Sequence, residues 1–275
     1  AALKTVLIAE HLKKSRDQHA SKQDKFTEAS INFRAGEAAL KSLAHNTADY
    51  YFSEAVQVCP ADHWAEHYAF MLNLYKCYAR SALLVGEQGR SNEIIEIALQ
   101  HAVSDLDRAD CLLEQIVATI SLGDIEESIV LGQRCFALLG HPLPEGEAAI
   151  DAEIAAHSAV LHDPLVVKRY RQLANASSKK IQLEFSLYTE LLTAFYISGR
   201  HKLYFVAGMR STIIALQHGT TKGACFTLNT VCNYFHLQKD YSLAEKYQGL
   251  VLELAAEQPY AFSSIRAITQ ALWVT

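Results

Sequence analysis

The sequence predicts an all-α protein, an α-solenoid of stacked helix–turn–helix repeats, on three observations. Glycine supplies 12 of 275 residues and proline 5, against averages of roughly 7% and 5%, so the chain is short of turn formers. Apolar residues recur at steps of three and four in successive windows, and no window alternates with period two between turn signals. The breaks between windows are also regularly spaced. Gly86, Gly123, Gly199 and Asp240 lie 37, 76 and 41 residues apart, and 76 is twice 38. A helix pair recurring at that interval cannot bury its apolar face alone, so neighbours stack and share a core. The expected stack is right-handed.

Taken in order, Trp64, Tyr68, Met71, Tyr75, Tyr78 and Ala82 form one stripe of a long amphipathic helix, which ends at a Gly86–Gly89 break. Leu106, Ala109, Leu113, Ile116 and Ile120 make the next stripe. After Gly123-Asp124, Ile125, Ile129, Phe136 and Leu139 make another. Two prolines and two glycines within residues 140–146 end that helix. A helix resumes over Ala148–Val160, and Asp163-Pro164 reads as an N-cap with proline at the first helical position. Phe185, Tyr188, Leu192 and Phe195 precede the Ser198-Gly199-Arg200 break. Leu203, Val206, Ile213 and Leu216 follow it, and Lys239-Asp240 separates the last two helices. The expected organisation is an N-terminal subarray over 1–139, a Pro/Gly-marked seam over 140–162 and a C-terminal subarray over 163–275.

Half of the residues are hydrophobic and a fifth charged, which excludes wholesale disorder. A net charge of −5 and a pI near 6.2 argue against a nucleic-acid binder. The longest stretch without Asp, Glu, Lys or Arg, Gly223 to Gln238, has 16 residues and is too short and polar to span a bilayer. Cysteines at 59, 77, 111, 135, 225 and 232 form no C-x-x-C pair and sit in apolar helical patterns. They read as small core hydrophobes in a reducing, cytoplasmic setting.

Several segments carry a resemblance: Leu7-Ile8-Ala9-Glu10-His11, Phe33-Arg34-Ala35-Gly36-Glu37-Ala38-Ala39, Ala48-x-x-Tyr51-Phe52-x-x-Ala55, Cys59-Pro60-x-Asp62-x-Trp64, Gly123-Asp124-Ile125-Glu126-Glu127-Ser128-Ile129 and Leu138-Leu139-Gly140-His141-Pro142-Leu143-Pro144. Together they resemble the tetratricopeptide-like region that follows the AAA-type ATPase module in very large bacterial and fungal signalling proteins. In that family the region lies between Ser/Thr-kinase-like and ATPase portions and a C-terminal sensor or output portion. The resemblance spans nearly the whole chain and is strongest over 7–144. Ser128 stands where the repeat pattern usually has alanine, and the ATPase phosphate loop G-x-x-x-x-G-K-[ST] is absent from this sequence. The apolar Ala271-Leu272-Trp273-Val274 stops mid-helix, so the chain is read as a fragment of a longer protein.

Candidate chemistry is sparse. His63-Trp64-Ala65-Glu66-His67 matches the inverted zinc-protease pattern H-x-x-E-H, in which two histidines on one helix face ligate zinc and the glutamate activates a water. Trp64 opens an apolar stripe there, so the motif reads as the start of a repeat and no metal residue is assigned. His157 and His162 near Asp163, and His11 with His19, read as surface or capping histidines. Gly219-Thr220-Thr221-Lys222-Gly223 reads as a helix C-terminus and turn, not a phosphate cradle. Lys168, Arg169, Arg171, Lys179 and Lys180 concentrate charge and form the candidate docking patch for an acidic neighbour. Ile268, Leu272 and Trp273 form an uncapped apolar end, expected to be covered by a following repeat or, in the isolated fragment, by weak self-association.

The functional expectation is a non-catalytic protein–protein interaction and regulatory repeat module with no cofactor. Its expected partners are neighbouring domains of the parent chain or another protein, with neither nucleic acid nor membrane among them. Organisation like that of transcription activators, in which an ATPase precedes inducer-binding helical repeats, implies the alternative of small-molecule sensing. A closed apolar pocket favours that alternative, whereas an open groove favours a protein segment.

Overall fold

The computed structural model describes residues 21–59, 63–163, 165–221 and 223–257, together with residue 9. Among the described residues there are thirteen helices and no strand, with one isolated parallel bridge between Asn175 and Thr220. The chain divides into two compact units, Ala1–Asp124 and Ile125–Thr275. The first holds α1 (Lys22–Lys41), α2 (His45–Val58), α3 (His63–Glu66), α4 (Tyr68–Leu84), α5 (Gln88–His101) and α6 (Asp105–Leu122). The second holds α7 (Ile125–Leu138), α8 (Glu147–Leu161), α9 (Leu165–Tyr170), α10 (Lys179–Ile197), α11 (His201–His218), α12 (Ala224–Leu237) and α13 (Tyr241–Ala256). The proline- and glycine-rich segment 140–146 lies inside the second unit, between α7 and α8. No helix among the described residues is long and apolar enough to cross a membrane.

One turn geometry recurs. Residues 43, 86, 123, 140, 199 and 239 all adopt positive φ. At each, the next residue's N–H reaches back five residues: Ala44 to Ala39, Glu87 to Ala82, Asp124 to Thr119, His141 to Phe136, Arg200 to Phe195 and Asp240 to Phe235, at 2.9–3.0 Å. This left-handed C-cap satisfies the orphan carbonyls of the ending helix. At 43, 86, 199 and 239 it lets the next helix begin after three residues. It therefore closes four helix hairpins, α1–α2, α4–α5, α10–α11 and α12–α13, which pack along their lengths.

Glycine occupies four of these six positions at no steric cost, but Leu43 and Lys239 carry a Cβ at φ 59° and 62°, which costs about 1–2 kcal/mol. Leu43→Gly and Lys239→Gly are each expected to raise stability by about 0.5–1 kcal/mol, the steric relief outweighing the added unfolded-state entropy. Chemical denaturation checks this, and an unchanged midpoint at both positions would contradict it.

In the first unit α4 also packs against α2 and α6, and α5 against α6. Phe33, Ala39, Ala48, Phe52, Ala55 and Leu74 form a buried cluster of α1, α2 and α4. Polar ties reinforce these contacts. Asp49 accepts from Arg90 at 2.8 Å and Ser81 at 3.2 Å, Lys76 pairs with Asp110 at 3.0 Å, and Arg80 with Glu114 at 3.1 Å. Burial alone would lower the Lys76 ammonium, but Asp110 and Glu114 more than offset it and hold its pKa above the usual lysine value.

In the second unit α7 packs on α10, α8 on α11, and α11 on α12. A continuous core runs from Ile154 and Leu161 through Val206, Met209, Leu228 and Val231 to Tyr247 and Leu250. The Tyr247 hydroxyl donates to the Leu161 carbonyl at 2.7 Å, tying α13 to the end of α8.

Two helix boundaries differ from the sequence reading. Gly89 lies inside α5, and the break is confined to residues 85–87. The long helix expected from Trp64 is interrupted at His67, which has φ −132° and ψ 43°. The sequence has neither Pro nor Gly there. The interruption accompanies stacking of the His67 ring on Phe26 of α1, with centroids 3.7 Å apart.

Candidate functional site

A cleft of about 420 Å³ opens in the second unit between the 140–142 loop, α8, α10 and α11. Helical spacing places its polar groups. Glu153 and His157 lie one turn apart on α8, α10 supplies Tyr188, and α11 supplies Arg210, Ile213, Ile214 and Gln217. Arg210 is the hub. Its guanidinium pairs with both Glu153 oxygens through Nε and Nη2, and donates to the carbonyls of His141 at 2.9 Å and Pro142 at 3.0 Å. The proline-rich loop is thereby fastened to α8 and α11. Burial would lower Arg210, but Glu153 and Tyr188 together more than offset it and keep its pKa above the ordinary arginine value.

Beside this locked hub stand polar groups with unused capacity. Glu184 has no exposed surface, and neither carboxylate oxygen accepts a hydrogen bond. Its nearest cationic groups are His141 Nδ1 at 3.4 Å and Lys180 Nζ at 3.8 Å, both from Oε1. The Tyr188 hydroxyl lines the cleft beside the Arg210 guanidinium, with which it interacts. Burial pushes its pKa well above the usual tyrosine value despite the opposing charge of Arg210, so it remains a protonated donor. His157 is lowered by burial, which outweighs Glu153 at 3.6 Å. Its stability contribution is therefore full above its unfolded value of 6.5 and declines as pH falls below that. Buried polar groups without a hydrogen bond are uncommon in native proteins. Of Glu184 and Tyr188, it is Tyr188 that reaches the cleft, which Ile213 and Ile214 also line. The arrangement can take an apolar side chain and a hydrogen-bonding group together.

The five basic residues read from the sequence are all exposed. Lys168 and Arg169 are exposed on α9. Arg171 is engaged by Glu253 through two hydrogen bonds of 2.7 and 2.9 Å. Lys180 faces Glu184, and Lys179 shares its exposed first turn on α10. Ile268, Leu272 and Trp273 lie outside the described residues, as do His11 and His19. His157 and His162 do not act together, because His162 faces Asp240 at 3.5 Å. Gly219 caps α11, and Thr220 then exchanges backbone hydrogen bonds with Ala174 and Ala176 at 2.9 and 2.8 Å. All six cysteines are free, four of them buried. Burial pushes the Cys59 and Cys232 thiols up to about 11 and those of Cys77 and Cys111 to about 12.

The residues of the H-x-x-E-H motif do converge. One potential ligand atom from each of His63, Glu66 and His67 lies within 4.8 Å of the others.

Sequence reasoning missed Arg210, Glu153 and Glu184. The available signal was charge within apolar stretches: Glu184 interrupts Ile181-x-Leu183-x-Phe185, and Arg210 follows Val206-Ala207-Gly208-Met209. No protein-family model matches the chain, and no curated protein matches it.

Proposed function

We propose that this chain is a non-catalytic interaction and regulatory module, built of stacked tetratricopeptide-like repeats, within a multidomain signal-transduction protein of the kinase–AAA ATPase type. Four helix hairpins closed by one turn geometry support the repeat reading, with each unit packing successive hairpins on one another. The α12 helix lies against both α10 and α11, as the first helix of a repeat does against the pair before it.

The observation that carries the functional reading is the open cleft in which the Tyr188 hydroxyl and the Arg210–Glu153 pair stand beside Ile213 and Ile214. It opens to solvent past exposed Gln217 and half-exposed His141, so it suits a protein segment better than a sequestered metabolite. A segment presenting a hydrogen-bond acceptor beside an aliphatic residue would meet the Tyr188 hydroxyl and cover Ile213 and Ile214. A photo-crosslinking residue placed at Gln217 in the parent protein tests this. Attachment to one discrete segment of a neighbouring domain or partner is expected. A specific metabolite that raises thermal stability and blocks crosslinking would transfer the site to small-molecule sensing, and crosslinks scattered without preference would overturn both readings.

A further inference from the structure

His63 is fully buried, yet neither ring nitrogen has a hydrogen-bond partner. Neutral imidazole carries one donor and one acceptor, and burying both unpaired is unfavourable unless something else engages the ring. The groups facing it are the other polar members of the same turn. His67 follows at i+4 and Glu66 at i+3, so all three share one face. Their potential ligand atoms fall within 4.8 Å of one another. The rings are held in place from outside: Phe26 stacks on His67 at 3.7 Å and meets His63 edge-on at 5.6 Å, and Phe70 closes on Phe26 at 5.0 Å. Glu66 is half exposed, with Lys22 3.9 Å from its carboxylate. It retains the freedom to turn inward.

We infer that His63, Glu66 and His67 form a binding site for zinc, two imidazole nitrogens and one carboxylate oxygen supplying three of four tetrahedral positions. Zinc bonds of about 2.0–2.2 Å place ligand atoms about 3.4 Å apart, so the cluster closes by side-chain rotation without moving a helix. The cation engages a His63 nitrogen that is otherwise unpaired and braces the bend between α3 and α4. Glu66 belongs to the ligand set here and does not stand apart as the base that the hydrolase pattern requires. The fourth position is left to water.

The test uses the whole chain, stripped with a chelator and titrated with zinc, and with cobalt as a spectroscopic probe. The expected result is one zinc per chain retained through dialysis and a rise in thermal midpoint. Cobalt should give the d–d bands of a four-coordinate nitrogen–oxygen site without thiolate charge transfer. His67→Gln and Glu66→Gln, both at accessible positions, should keep native circular dichroism. Loss of a ligand should weaken binding by more than the ~100-fold upper range of an outer-shell change. His63→Phe should fill the ring's space and abolish binding. Absence of stoichiometric zinc, undiminished binding in His67→Gln, or a thiolate charge-transfer band would overturn the site.

Discussion

Replacing Arg210 with methionine is expected to destabilise the chain by about 3 kcal/mol, the cost of breaking a largely buried ion pair and stranding one partner. Arg210 and Glu153 side chains are only 16% and 18% exposed. The substitution leaves the Glu153 carboxylate without its guanidinium and frees the carbonyls of His141 and Pro142. Combining it with Glu153→Leu should restore most of the loss, because two apolar groups carry no desolvation penalty. His157 reports the same event. Burial sets its low pKa, Glu153 raises it and Arg210 lowers it, so its midpoint should move up in Arg210→Met and down in Glu153→Leu. Denaturation and histidine NMR titration check both. A single variant as stable as the parent, or a His157 pKa that does not move, would show that Arg210 is not the hub of this cleft.

Gly208→Val should be comparably damaging for a different reason. A Cβ at position 208 would lie 2.4 Å from Thr230 Cβ and 2.7 Å from its methyl, closer than any real contact. Thr230 is fully buried and β-branched, with no rotamer that clears its own Cβ. The helices α11 and α12 must therefore separate, opening the core around Val206, Met209, Leu228 and Val231. Overpacking of this kind costs up to about 3 kcal/mol. Gly249 on α13 is the control, since a Cβ there meets nothing within 4 Å. Gly249→Ala should stabilise by about 0.5–1 kcal/mol through helix propensity. If both substitutions act alike, close approach does not set the α11–α12 distance.

The spacing of the helix breaks was legible because three of the left-handed turns place glycine, at 86, 123 and 199. Lys239 was found through Asp240 beside it, which caps α13 by accepting from Leu243 N–H. The turn at Leu43 was invisible, since leucine in a left-handed conformation leaves no compositional trace. The bend at His67 was hidden for a related reason: the ring that stacks on it, Phe26, is remote in sequence. The cleft was the least legible. Glu153, Glu184 and Arg210 sit on three helices whose pairing no local pattern states. Among the basic residues near 168–180, the pairing of Arg171 with Glu253 joins positions 82 apart and no local pattern states it.

If the second-unit cleft receives a protein segment, amide hydrogen exchange will differ there between the isolated chain and the proposed parent protein. Slower exchange in the parent is expected for peptides covering the 140–142 loop, the Glu153–His157 turn and the 210–217 end of α11, with no change at the exposed Lys168–Arg169 surface. Identical exchange at the cleft in both forms, with protection confined to other surfaces, would contradict it.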